Sequence, residues 1–340
     1  MMRAKHGIAL VLGAIFLLPG AGMAQLTQTQ LEDALGAEMN SLTRLGQQSR
    51  GVMDIGGSGI GPGFGRGGLT IRLDQGLFSD EIRPGLSGPT IWTGGDITVI
   101  DADDGREGNI GGVTAGVAFR PSDRFAATVF GSFRRDNLDS DQIALETDVS
   151  MFGGGLLVDY LAPGDVRAQA ALRFGFGTGE TTIGAVTGDF DQRELEFGLK
   201  VDRRFGFGDG FYADPGLEFS YQLSDRDDHT LSNGLQIPGE VTDTAEIRLG
   251  GALGQAAQFG GVLRQLDWEL RGSAIVTFLG DTPATVFIAD DETEFGGTVG
   301  GTLRFTFDNA VAIGVNADYL HLGGDLNAVS AGVDLEVPLN

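Results

Sequence analysis

Two periodicities divide this chain. Residues 29–45 carry Leu31, Ala34, Leu35, Leu42 and Leu45 on one stripe at helical spacing, with Met39 at its edge and Glu38 interrupting it. Thr29 and Glu32 fit a capping box, Gly36 weakens the helix by about 1 kcal/mol relative to alanine, and Gly46 is the expected stop. From residue 90 onward apolar residues alternate with polar or small ones, the period of strands. Leu195, Phe197, Leu199 and Val201 fall on one face, and Glu194, Glu196, Lys200 and Asp202 on the other. Leu266, Trp268, Leu270 and Val276 oppose Asp267, Glu269, Arg271, Ser273 and Thr277; Val299, Leu303, Phe305 and Phe307 oppose Thr298, Thr302, Arg304 and Thr306. The pattern predicts twelve strands, near 90–100, 111–120, 124–134, 146–160, 165–177, 192–203, 211–223, 244–256, 265–278, 292–307, 310–321 and 326–339.

The connections differ in length. Short turns are expected after the second, fourth, sixth and tenth strands, as at Pro121-Ser122-Asp123, with a looser one around Phe259-Gly260-Gly261. The others read as longer acidic loops, carrying Asp101, Asp103, Asp104 and Glu107; Asp136, Asp139 and Asp141; Asp225, Asp227 and Asp228; and Asp290, Asp291 and Glu292. Aromatics collect at strand ends. Phe119, Phe125, Tyr160, Phe211, Trp268 and Phe307 lie beside short turns, and Phe176, Tyr221, Phe278 and Tyr319 beside long loops. Long strands, alternating turn lengths and two aromatic girdles predict an all-β fold: a closed antiparallel transmembrane barrel of about twelve strands with one short N-terminal helix. Lipid cannot satisfy a free strand edge, so the sheet must close.

The first 24 residues set the route. Arg3 and Lys5, an apolar run from Ile8 to Leu18 and the small-residue stretch ending at Ala24 read as a signal peptide over 1–24. The remaining divisions are the helix segment 25–50, a glycine-rich linker and turn segment 51–89 with a short strand at 69–73, and the barrel 90–340. Composition narrows the function. With 47 acidic against 23 basic residues, a net charge of −24, the chain would repel nucleic-acid phosphates. It has no cysteine, hence no disulfide framework and no thiolate zinc site. Glycine, at 57 of 340 residues, is more than twice the usual ~7%.

A leader, an N-terminal helix and about twelve terminal amphipathic strands together resemble the translocator domain of autotransporters, over residues 29–340. The resemblance implies an outer-membrane barrel that deals with membrane lipid and the outer-membrane assembly machinery. Two features depart from the pattern. The segment before residue 90 is short for a passenger, and the chain ends on Val337-Pro338-Leu339-Asn340 rather than on an aromatic residue. The expected role is a surface or channel protein without a large passenger; the alternative is a small-solute porin.

The polar strand faces carry the candidate site. Glu194, Glu196, Glu218, Glu246, Glu269, Asp318 and Asp334 are expected to line the lumen with Arg167, Arg173, Arg248, Arg271 and Arg304. Facing lipid, an arginine at the midplane would cost about 2–4 kcal/mol; inside, these charges can pair across strands or line water. Asp227-Asp228-His229 with Asp101-Ala102-Asp103 looks like the paired dyads of omptin outer-membrane proteases, a third reading. His321 with Ser330 forms no informative hydrolase pattern, and the acidic run from Asp101 lacks the spacing of an EF-hand. No cofactor, metal or catalytic residue is expected. A leucine stripe inside a polar lumen would face charges and water, so the helix is expected outside the lumen on the short-turn side, free for self-association.

Overall fold

The computed structural model describes residues 28–50, 90–102, 105–122, 124–141, 144–164, 166–280, 292–323 and 326–338. The leader, the linker with its 69–73 strand, Asp103, Asp104, Asp123, Asp290, Asp291 and the last two residues lie outside them. The chain opens with α1 (Gln28–Arg50), followed by β1 (Thr90–Ala102), β2 (Arg106–Ser122), β3 (Phe125–Ser140), β4 (Leu145–Ala162) and β5 (Val166–Ile183). Next come β6 (Val186–Arg203), β7 (Phe205–Gly208), β8 (Phe211–Arg226), β9 (His229–Thr230) and β10 (Gln236–Ile237). The last five are β11 (Glu240–Gln258), β12 (Leu263–Gly280), β13 (Glu292–Phe307), β14 (Ala312–Leu322) and β15 (Leu326–Pro338).

Twelve long strands close an antiparallel ring: each pairs with its neighbour in sequence, β8 pairs with β11, and β15 returns to β1. The seam runs from Thr90 opposite Pro338 to Ala102 opposite Leu326. β7 continues the β6–β8 hairpin past the rim at the turn end, and β9 and β10 form a small hairpin at the loop end.

The outer face holds the apolar rows. Phe174, Phe176, Leu199, Leu217, Leu249, Leu270 and Val333 are all exposed. Along β5 the outward apolar run is Val166, Ala168, Ala170, Leu172, Phe174 and Phe176. Ten steps at ~3.3 Å, tilted by about 40°, give a band roughly 25 Å tall, the height of a membrane's apolar layer. Phe119, Tyr160 and Phe211 are exposed toward the turn end, and Phe176 and Tyr319 toward the loop end. Phe125, Trp268, Phe307, Tyr221 and Phe278 are only partly exposed.

At the loop end the strands run longer than the alternation predicts. β2 starts at Arg106, β3 reaches Ser140, and β5 and β6 meet across Gly184 and Ala185. Asp101, Glu107, Asp136 and Asp139 therefore lie within strands rather than loops. The reason is a change of phase. Above Phe176 the outward positions of β5 become Thr178, Glu180 and Thr182, and those of β6 become Thr187, Asp189, Asp191 and Arg193. The inward positions turn apolar at the same level, with Phe190 on β6, Leu138 on β3, Val149 and Met151 on β4, and Leu320 and Leu322 on β14. Pairing continues through this collar, whose outside on β5 and β6 is polar and whose inside is a hydrophobic core.

Candidate lumen site

The lumen has two storeys. The upper one is the apolar socket of the collar, and α1 fills it. Leu35, Met39, Leu42 and Leu45 are buried in one cluster with Ile100, Ile110, Leu138, Leu145, Phe190 and Leu322, and Leu31 packs at its edge. This overturns the expectation that the helix lies outside the lumen on the short-turn side. The argument against an apolar stripe in a polar lumen holds, but the lumen at this height is not polar. Burial is worth about 1.5–3 kcal/mol per such side chain, an upper estimate. The wall covers the stripe.

Polar contacts fix the helix's height and direction. Glu38 meets Arg106 at 2.9 Å and accepts the Ser140 hydroxyl at 2.6 Å, so the residue that interrupts the stripe finds a cation and a donor at the tops of β2 and β3. Arg226 Nη2, at the top of β8, donates to Asn40 Oδ1 at 3.2 Å. Deeper, Gln222 Nε2 donates to the Gln47 carbonyl at 3.3 Å, Thr244 donates to Gln47 Oε1 at 3.1 Å, and Gln48 donates to Glu294 at 2.7 Å. The helix enters at the loop mouth and descends. These contacts carry it through Gly46 to Arg50, past the expected stop. The capping box is not made either: Thr29 lies within the helix, and Glu32 accepts instead from Gln28 at 2.8 Å and from the Gln236 amide at 3.1 Å. Gly36 has a packing role, since a Cβ there would stand 3.0 Å from Pro238 Cγ.

The lower storey is rich in charge, with neutral polar residues, small alanines and the larger Phe130 and Leu157 between the charges. The side chains expected to line the lumen project inward here, and Arg167, Arg173, Glu194, Glu196, Glu218, Glu246, Arg248, Glu269, Arg271, Arg304 and Asp334 are buried. Asp318 is half-buried and takes Arg271 at 2.7 and 2.9 Å. Arg134, not among the residues expected to line the lumen, is the hub of the largest network. It donates to both Glu194 oxygens at 2.8 and 2.9 Å and to Asp136 at 2.7 Å, while Arg173 holds Glu196 at 2.6 Å. In sequence Asp136 stands among loop-like acidic residues, whereas here it belongs to β3. Arg167 with Asp202 (2.9 Å), Arg248 with Glu246 (2.6 Å) and Arg304 with Glu336 are further pairs. Arg204 stacks over the Tyr212 ring at 3.8 Å while bonding Asp214. Such bidentate, charge-assisted bonds hold side chains in fixed geometry.

The residues proposed for rim chemistry do not converge. His229 is buried against Phe190, with ring centroids 5.1 Å apart, rather than facing the mouth beside Asp227 and Asp228. Burial and the Arg226 charge push its imidazole down to about 4. Asp101 is exposed on β1, and Asp103 lies outside the described residues. His321 points outward to Asn327 while Ser330 is buried on the inner face, so the two lie on opposite sides of the wall. Among the described residues no three potential metal ligands cluster.

A ring of twelve antiparallel strands pierced by a preceding helix defines an outer-membrane β-barrel of the translocator type. The profile of the autotransporter beta-domain family matches residues 92–317, and the chain belongs to that family. Among solved structures it is similar to the beta domain of the Bordetella autotransporter Brka, at 14% identity and a TM-score of 0.65, over 74% of this chain and all of that one. It is also similar to the translocator domain of NalP from Neisseria meningitidis, at 13% identity and a TM-score of 0.58, over 77% and 92% of the two chains. The transport unit of AIDA-I from Escherichia coli follows at 10% identity and 0.54, over 77% and 94%. No curated protein matches the chain. Beta domains of this family are translocators rather than enzymes, and they sit in the outer membrane.

Proposed function

We propose that this barrel is a plugged translocator-type anchor, whose own helix closes the loop mouth and presents the start of the mature chain there. The observation that carries the reading is the seating of Leu35, Met39, Leu42 and Leu45 in the collar, locked by Glu38–Arg106 and Arg226–Asn40. The charged storey below is a paired, rigid wall rather than a solute-selecting one. The loop end is extracellular, the turn end periplasmic, and the leader is cut after Ala24; lipid and the assembly machinery are the partners. Single-channel recording on refolded protein tests the plug. The full chain is expected to give no steady open level, and deletion of residues 28–50 is expected to give one. Steady conductance of the full chain would favour the porin reading instead. Orientation has its own test: a cysteine at Asp227 should react with an impermeant reagent on whole cells, and one at Ser122 should not.

A further inference from the structure

The connection between β8 and β11 does more than join two strands. It folds back as the β9–β10 hairpin and covers the entry of α1. Leu231 and Ile237 are buried in the same apolar cluster as the helix stripe. The Gln236 amide donates to Glu32, Pro238 rests on Gly36, and the Pro238 carbonyl accepts from Arg226, which also holds Asn40. The outer edge of the hairpin is tied to β6 by the Ser232 amide, which donates to the Thr187 carbonyl at 2.8 Å. Helix, hairpin and wall thus meet around His229, which is 6% exposed.

That imidazole is an unusual choice for the position. Its ring lies on Phe190, and Gly188 leaves room for it: a Cβ there would stand 3.1 Å from His229 Cδ2 and 2.9 Å from Leu231 Cδ2. Neither ring nitrogen makes a hydrogen bond of good geometry. Arg226 on β8 opposes a second positive charge here; the Asp227 backbone and Asp228 in the connection and Asp189 on β6 favour one. From the helix, Glu32 engages the hairpin through Gln236. A neutral ring satisfies the apolar contacts, and a protonated one would be a buried cation on an aromatic ring and beside a guanidinium.

We propose that residues 227–239 form an acid-released latch over the helix plug, with His229 as its trigger. The proposal rests on the plugged reading of the barrel. The sign follows from linkage. In the closed latch the imidazole is pushed down to about 4, whereas an exposed imidazole takes its proton near 6.5. The closed form is fully favoured above about 6.5 and loses ground as the pH falls toward 4, by a factor on the order of 10².

A spin label on Asn233→Cys, at the exposed hairpin tip, reads the latch in the full refolded chain, which has no other cysteine. A mobile spectral component is expected to grow reversibly between pH 7 and pH 4. It should be absent in His229→Phe and His229→Gln, which leave every carboxylate in place. An unchanged spectrum across that range in the parent, or the same transition in both variants, would overturn the proposal. Conductance at pH 7 tests the plug itself and does not depend on this result, so the two readings can fail separately.

Discussion

The membrane band and the collar are built from the same twelve strands, in the same register, with opposite chemistry. In the band, Leu199 and Phe174 face outward while Glu196 and Arg173 face inward. In the collar, Asp189 and Glu180 face outward while Phe190 faces inward. No slip of pairing separates the two: β5 and β6 stay in one register from Val166 opposite Arg203 to Ile183 opposite Val186. The backbone is indifferent to which side is wet, and the solvent at each height chooses the residue. Gly179 shows the fine tuning at the change-over. A Cβ there would fall 2.2 Å from the Phe190 ring, so the absent side chain lets an aromatic turn into the socket.

The two storeys should respond differently to substitution. The largest effect is expected at Arg134→Met in the band. It strands Asp136 and Glu194 as buried carboxylates without their main cation, at about 3–5 kcal/mol. Thermal unfolding monitored by near-UV circular dichroism in detergent should show it, and a double change that also neutralises Glu194 and Asp136 should recover most of the loss.

Leu42→Ala in the socket comes next, at about 2–5 kcal/mol for a buried leucine. Because its partners belong to the collar, the loss should appear as helix release, seen as faster proteolysis of residues 28–50, with the ring still heat-resistant. Equal loss of ring and helix would show that the storeys are one cooperative unit.

A charge on the outer wall separates the regions by height. Leu199→Arg should cost about 2–4 kcal/mol and block insertion into vesicles, whereas Thr178→Arg on the collar should leave it unchanged. Equal damage would put both positions in lipid. The smallest effect is expected for Glu38→Gln, which weakens one partly exposed ion pair; about 1 kcal/mol, read as a slightly lower helix-release temperature, is the scale.

The legibility of the sequence follows the same division. All twelve strands can be read where lipid enforces apolar outward positions, as at Leu195, Phe197, Leu199 and Val201. The reading stops near Gln192 and Phe176 because the phase inverts there. Thr187, Asp189 and Asp191 resemble a loop to a pattern that looks for one apolar face. The helix stripe is equally plain, yet its partner is not, since the socket is assembled from a few inward residues each on β1, β2, β3, β4, β6, β14 and β15 that never form a long run. The ring of charges around Arg134 is hidden for the same reason. Its members lie up to 62 residues apart, and Asp136 resembles a loop residue in sequence. His229 shows the limit most clearly, because the charged neighbours that suggest a wet loop in sequence leave the ring itself buried.

The helix also decides when this molecule is finished. Gln48 meets Glu294 across 246 residues, Gln47 meets Thr244 across 197, and the ring is sealed only when Thr90 finds Pro338. The chain must therefore be made through Thr244 before the first of these contacts can form, and almost to its end before the ring seals. Pairings this remote in sequence are slow, because chain entropy is spent before any contact is gained. Until then β1 and β15 present open edges and the apolar rows have no lipid, which is the condition for aggregation. Survival of the newly made chain is thus a race between closure and clumping.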